Sequence, residues 1–236
     1  MAKKKQSGDI PEGIESALSK TEQFIEDNQK IILRIVFVVV AIIAIYVGMK
    51  RFYFIPRQTE AQAQMFVAEQ YFEIDSFNLA LYGDGNYSGF LEIIDDYGWT
   101  KSGNLSKYYA GISYLRTGQY EDAIDYLEDF KASDKMVGPI AEGAIGDAYV
   151  EMNDIESGLD HYLKAAEMSD NNFTTPLYLM KASLIYEKLE EFAKAEKLYL
   201  RIQKEYPEYA RNNNIEKYLA RVQVMSREQG AGNRED

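Results

Sequence analysis

The chain has no cysteine, a single histidine, a single tryptophan and five prolines in 236 residues. Without cysteine there is no disulfide, no Cys-ligated zinc, no thiol nucleophile and no acylation at cysteine. The one histidine, His161, stands beside Tyr162 in a helical stretch with no acid pair near it in sequence, which is not a metal site. Gly83, Gly85 and Gly89 have no strand before them and no Lys-Ser/Thr after them. They read as an inter-helix turn and not as a phosphate loop. Paired carboxylates such as Asp95-Asp96 and Glu190-Glu191 sit at expected helix ends or turns, where solvation explains them. No nucleophile–base constellation stands out, so the expectation is a protein that is not an enzyme and uses no cofactor. Positive charge is scarce too: 26 basic residues face 38 acidic ones. Residues 1–57 hold 9 of the basic and 6 of the acidic residues, leaving 17 against 32, a net of −15, for residues 58–236. Such a domain repels phosphate backbones and excludes nucleic acid as an expected partner.

Long apolar runs are absent except in one place. Residues 31–49 are apolar apart from Arg34, and at about 1.5 Å rise per residue they cover roughly 28 Å, the hydrocarbon thickness of a bilayer. Arg34 lies one turn inside the end, where its side chain reaches the headgroups. Lys50, Arg51, Phe52, Tyr53 and Phe54 form a basic and aromatic belt at the other end. The run begins some 30 residues in, is long for a signal-peptide core and lacks a small-x-small cleavage site, so a transmembrane helix with its interface is expected over 31–55. Basic residues are denser before the run than after it, which predicts a cytoplasmic N-terminus with the large domain on the far side. Ahead of the run, residues 1–8 read as mobile. Asp9, Glu12 and Pro11 read as a helix start, and Ile14, Leu18 and Ile25 recur at helical spacing, giving a short amphipathic helix within a cytoplasmic lead, 1–30.

Beyond Pro56 the string 59–82 contains no glycine or proline and reads as one helix. The sequence then repeats itself. Aligning 116–130 with 151–165 and 188–202 stacks Tyr120, Ile155 and Phe192, then Ala123, Gly158 and Ala195, then Leu127, Tyr162 and Tyr199. Upstream, Tyr114, Tyr149 and Tyr186 recur at intervals of 35 and 37. A fourth, degenerate copy is read at 82–97, with Gly85 and Tyr87 opposite Gly118 and Tyr120 and with Phe90 in the alanine position. A period near 34, with a small residue facing a ring, marks stacked helix–turn–helix units. The pattern Ser183, Tyr186, Phe192, Ala195, Tyr199, Pro207, and more loosely Gly111, Tyr114, Gly118, Tyr120, Ala123, resembles the tetratricopeptide repeat (TPR) family. The expected fold is therefore all-α: one N-terminal transmembrane helix, then an α-solenoid of about four TPR helix pairs over 56–211. A capping helix follows at 212–228, carrying Ile215, Tyr218, Leu219, Val222 and Met225, and a disordered tail at 229–236.

The TPR resemblance implies a concave groove, lined by the first helix of each pair, that takes an extended or helical peptide. Carried onto this chain, the groove positions are Tyr108, Ile112 and Arg116, then Asp147 and Glu151, then Met180, Leu184 and Glu187. Tyr108 and Ile112 occupy slots where chaperone-cofactor TPRs clamp a terminal carboxylate, so that mode is disfavoured.

A second resemblance lies in TEQFIEDNQKIIL (21–33), where an aromatic, an acidic stretch, Asn and Lys lead into the span, and in EAQAQMFVAEQYF (60–72) after it. These segments are similar to the YfgM family, the ancillary subunit of the bacterial Sec translocon. The resemblance implies an inner-membrane protein with a periplasmic TPR domain that works with Sec translocon subunits and a PpiD-type periplasmic chaperone on newly translocated chains. Two alternatives share the architecture: an assembly scaffold of another cell-envelope secretion or motility machine, and an anchored organelle import receptor.

Overall fold

The computed structural model describes residues 12–232 of the chain, with side chains from Phe24 to Gln229. The expected mobile lead, the helix start around Asp9 and the side chains of Ile14 and Leu18 lie outside the described residues. The described residues form helices and turns with no strand. They divide into two compact units, one up to Pro56 and one from Arg57 onward.

The first unit is built on α1 (Glu12–Met49), followed by a π-helical turn, Lys50–Phe54. Pro56 stands just beyond that turn. A proline ring clashes with the carbonyl four residues back and offers no N–H, and a wider turn relieves both conflicts. The large apolar side chains from Ile35 to Met49 are 48–74% exposed, so no protein covers them. Among the described residues, Phe24–Glu73 is the one helix long and apolar enough to cross a membrane, judged by length and composition.

The second unit is a stack of helix pairs. The first helices are α2 (Ile55–Glu73), α5 (Lys101–Arg116), α7 (Val137–Glu151) and α9 (Thr174–Lys188). Their partners are α3 (Phe77–Tyr82) with α4 (Phe90–Tyr97), then α6 (Tyr120–Glu128), α8 (Ile155–Glu167) and α10 (Phe192–Glu205). A short α11 (Pro207–Asn212) leads to α12 (Ile215–Gly232), which continues four residues past the expected end of the capping helix. Ile215, Leu219 and Val222 bury against α10, whereas Met225 is exposed.

One local rule builds every pair. The carbonyls of Tyr71, Tyr114, Tyr149 and Tyr186 accept a closing hydrogen bond, at 2.8–2.9 Å, from the N–H five residues on. Each time the residue four after the tyrosine takes a left-handed conformation: Asp75, Gly118, Asn153 and Glu190. This Schellman turn satisfies the helix-end carbonyls and sends the chain back. Nine residues after each tyrosine comes the small residue that lets the two helices touch: Ala80, Ala123, Gly158 and Ala195, the three alanines fully buried.

That rule corrects the first repeat. Residues 59–82 are not one helix, because Asp75 ends α2 and Ser76 starts the return. Gly85 and Tyr87 are not equivalent to Gly118 and Tyr120; they lie in a loop that splits the second helix, and the packing alanine is Ala80, not the Phe90 position. The split is made by glycine. Gly83 has φ +77°, and a Cβ on Gly89 would collide with the Leu81 carbonyl, so the loop can close only without side chains there. The core is distributed along the stack in successive clusters, as in solenoids generally.

Candidate binding cleft

The helix pairs place a cleft of about 660 Å³ across all four repeats, lined by Asp75, Phe77, Leu115, Arg116, Tyr120, Asp147, Val150, Glu151, Tyr162 and Lys181. Three of the expected groove residues meet there: Arg116, Asp147 and Glu151. Its walls come from the C-terminal ends of α5 and α7, the turn into α3, and single side chains of α6, α8 and α9.

Asp147 organises the charge. It accepts a hydrogen bond from the Tyr162 hydroxyl and an ion pair from Lys181 Nζ at 2.5 Å. The ammonium lies 5.1 Å and 5.8 Å from the ring centroids of Tyr162 and Tyr178, so cation–π attraction adds to the pair. Burial, and then the hydrogen bond to Asp147, push the Tyr162 phenol far above its ordinary range, so it stays a donor. Close packing makes this possible: α7 carries Gly143 and Gly146, and a Cβ on Gly143 would fall inside the Tyr178 ring. The Arg116 guanidinium lies 5.8 Å from the Phe77 centroid, and Glu151, one turn beyond Asp147 on α7, is exposed.

The remaining expected groove residues go elsewhere. Tyr108 and Ile112 turn toward the next repeat and pack against the cluster of Ile124, Leu127 and Ile145, with the Tyr108 ring 5.6 Å from Phe130. Met180 packs against the core around Tyr178 and Leu179, and Leu184 is exposed without entering the cleft. Glu187 is held by the end of the stack: Tyr199 donates to it at 2.6 Å and Arg221 of α12 grips it through two bonds of 2.8 Å. A bidentate guanidinium–carboxylate pair locks α12 onto α9.

Tyr199–Glu187–Arg221 has the chemistry of Tyr162–Asp147–Lys181, a tyrosine hydroxyl and a cation on one carboxylate, with Glu187 three positions later in its repeat than Asp147. Sequence reasoning missed Lys181, Tyr162 and Phe77 as cleft residues. The signal was present in Tyr178-x2-Lys181 and Tyr218-x2-Arg221, a ring followed one turn later by a cation.

His161, read as lacking an acid pair, meets one carboxylate in space: its Nδ1 lies 2.7 Å from Glu142 Oε1, and Lys164 pairs with the same carboxylate at 2.9 Å. Among the described residues no group of three or more His, Asp or Glu could hold a metal.

Against known proteins, the sequence matches the tetratricopeptide repeat family over residues 106–134 and 178–209. No curated protein matches. Among solved structures, a kinesin light chain-like protein of Podosopora anserina with nearly identical TPR-like repeats matches at TM-score 0.50 and 11% identity, over 74% of this chain and 98% of that one. That is a likeness of fold. The chain therefore carries TPR repeats in an all-α solenoid.

Proposed function

We propose that the chain is a membrane-tethered, non-enzymatic scaffold that holds a segment of a partner protein in the cleft between Phe77 and Lys181. The cleft carries this reading: it crosses all four repeats and sets the exposed Glu151 carboxylate and Arg116 guanidinium, with the half-buried Lys181 ammonium, beside Phe77, Leu115 and Val150. That mixture suits a peptide with alternating charged and apolar side chains. Residues 31–55 act as the anchor, supported by their length, composition and lack of protein cover. Anchoring confines the cleft to one membrane face and raises its effective concentration for any partner held there.

The finer reading, supported by the resemblance of 21–33 and 60–72 to the YfgM family, is an accessory of the Sec translocon. Here the TPR domain is periplasmic, the N-terminus is cytoplasmic, and a PpiD-type chaperone is a partner. The test is mild-detergent purification of the tagged full-length chain from its own membranes, with quantitative mass spectrometry, beside the variant Arg116→Glu/Glu151→Lys. Sec channel subunits and a membrane-anchored chaperone are expected with the wild type and at least tenfold depleted with the variant. Enrichment of another envelope machine with Sec subunits at background sinks the translocon reading and leaves the scaffold. Equal recovery by the variant sinks the cleft.

A further inference from the structure

The turns that supply the cleft are unevenly charged from one repeat to the next. Each runs from the residue before its closing tyrosine to the small packing residue: 70–80, 113–123, 148–158 and 185–195. The first three together hold seven carboxylates and one cation, Arg116. The fourth holds three carboxylates and two lysines, and Arg221 of α12 reaches in to join them. Ion pairing follows the same division. In the fourth turn Lys194 pairs with Glu191, and Arg221 pairs with Glu187. In the first three, all seven carboxylates are exposed, and none forms an ion pair among the described residues. Asp154 caps α8 through the Ser157 N–H and keeps its charge. Inside the cleft, Asp147 and Lys181 neutralise each other.

Packed helices lie about 8–10 Å apart, close to the Debye length of about 10 Å at 0.1 M salt. Charges on adjacent turns therefore add over the cleft mouth. Asp75 and Glu151 carry that charge onto the wall, and Tyr120 on the wall stands next to Glu121 in sequence. Between the carboxylates the wall is apolar, with one side chain from each of the first three repeats: Phe77, Leu115 and Val150. Leu115 and Val150 each follow a closing tyrosine and are equivalent positions. An extended chain advances about 3.3 Å per residue, so roughly three residues of a ligand cover one repeat.

We infer that the partner segment held in the cleft is basic. Its lysines or arginines pair with the carboxylates of the first three turns, and the apolar side chains between them rest on Phe77, Leu115 and Val150. This rests on the cleft reading above and adds the sign of charge that the cleft selects. An acidic segment would meet seven negative charges against one positive, a net of −6, with Arg116 alone to hold it. Complementary charge of this kind speeds encounter, fixes register and rejects partners of the wrong sign.

The absence of cysteine makes a clean test possible. Arg116→Cys puts a single thiol on the cleft wall, where a bulky neutral maleimide fills the cleft of an otherwise identical chain. A display library of short random peptides is selected on the full-length wild type in non-ionic detergent. Peptides that bind unlabelled Arg116→Cys at least as tightly as wild type, and are lost on labelling, should carry Lys and Arg at least threefold over Asp and Glu. Glu73→Gln/Asp122→Gln/Glu156→Gln removes three exposed charges that do not line the cleft. With native helicity and melting temperature, it should bind the same peptides about fivefold more weakly. Label-sensitive peptides that are acidic or uncharged overturn the basic partner and leave the cleft standing. Label-sensitive basic peptides that bind the triple variant undiminished overturn the inference as well, since the turns then contribute nothing. If no enriched peptide is label-sensitive, the cleft reading falls and the inference falls with it.

Discussion

In the last repeat, α9 and α10 meet through Ser183, Tyr186, Ala195 and Tyr199, and the second helix runs fourteen residues without a break. In the first, α2 and α3 meet through Ala68, Tyr71 and Ala80, but the second helix stops after six residues. The position of Tyr199 is there filled by Asp84. Where Tyr199 is fully buried and donates to Glu187, Asp84 is exposed. It accepts from the Tyr71 hydroxyl and from the N–H groups of Asn86 and Tyr87. One repeat is closed by a buried ring, the other by a carboxylate that organises a loop. The same turn starts both, so the pair geometry depends on the turn and the small residue, while the fourth position is free to hold packing or polar chemistry.

The largest expected effect sharpens this contrast. Tyr199→Ala should cost about 3–5 kcal/mol in denaturant unfolding, through a cavity and the loss of the Glu187 hydrogen bond. Asp84→Ala, at the matching position, should cost much less. Next, Gly89→Ala should cost about 1–3 kcal/mol, because its Cβ meets the Leu81 carbonyl, which a flexible side chain could not relieve. Gly118→Ala, with open space but φ +80°, should cost about 1 kcal/mol from backbone strain alone. A smaller effect compares the turns themselves: Glu190→Gly should stabilise by up to about 1 kcal/mol, Asp75→Gly by less, and Asn153→Gly by almost nothing, since asparagine tolerates the left-handed region. Thermal melts of the three variants check the order, and a uniform response would break the rule. The smallest is a pH effect. Backbone N–H groups of Asn86 and Tyr87, then the Tyr71 hydroxyl, hold the Asp84 carboxyl below its usual range. A depressed folded value contributes stability above the unfolded value of about 4 and loses it as the pH falls through the folded one. Wild type and Asp84→Asn should therefore differ at neutral pH and converge in acid.

The last and second repeats were legible because their tyrosine, small residue and ring fall at unbroken spacing. The first was misread because the loop after Tyr82 stretches the Tyr71–Tyr114 interval to 43, against 35 and 37 elsewhere. Gly85-x-Tyr87 then offered a false match at an interval of 33, while Asp75 carries no glycine to announce a left-handed turn. In the cleft, Arg116, Asp147 and Glu151 could be placed because they sit on one face of first helices. Tyr162 and Phe77 belong to second helices that reach around, a geometry that spacing within one helix does not encode. Tyr108 and Ile112 share the face of Arg116 but stand further toward the helix start, where the neighbouring repeat covers them.

The pairing of Asp147 with Tyr162 and Lys181 governs how tightly anything can be held there. Lys181 already occupies Asp147 Oδ1, so a ligand charge that enters there competes with a formed ion pair and its net gain is smaller by whatever that pair loses. Arg116 and Glu151, both exposed, are left to read the charge of a ligand, while Phe77, Leu115 and Val150 take its apolar side chains.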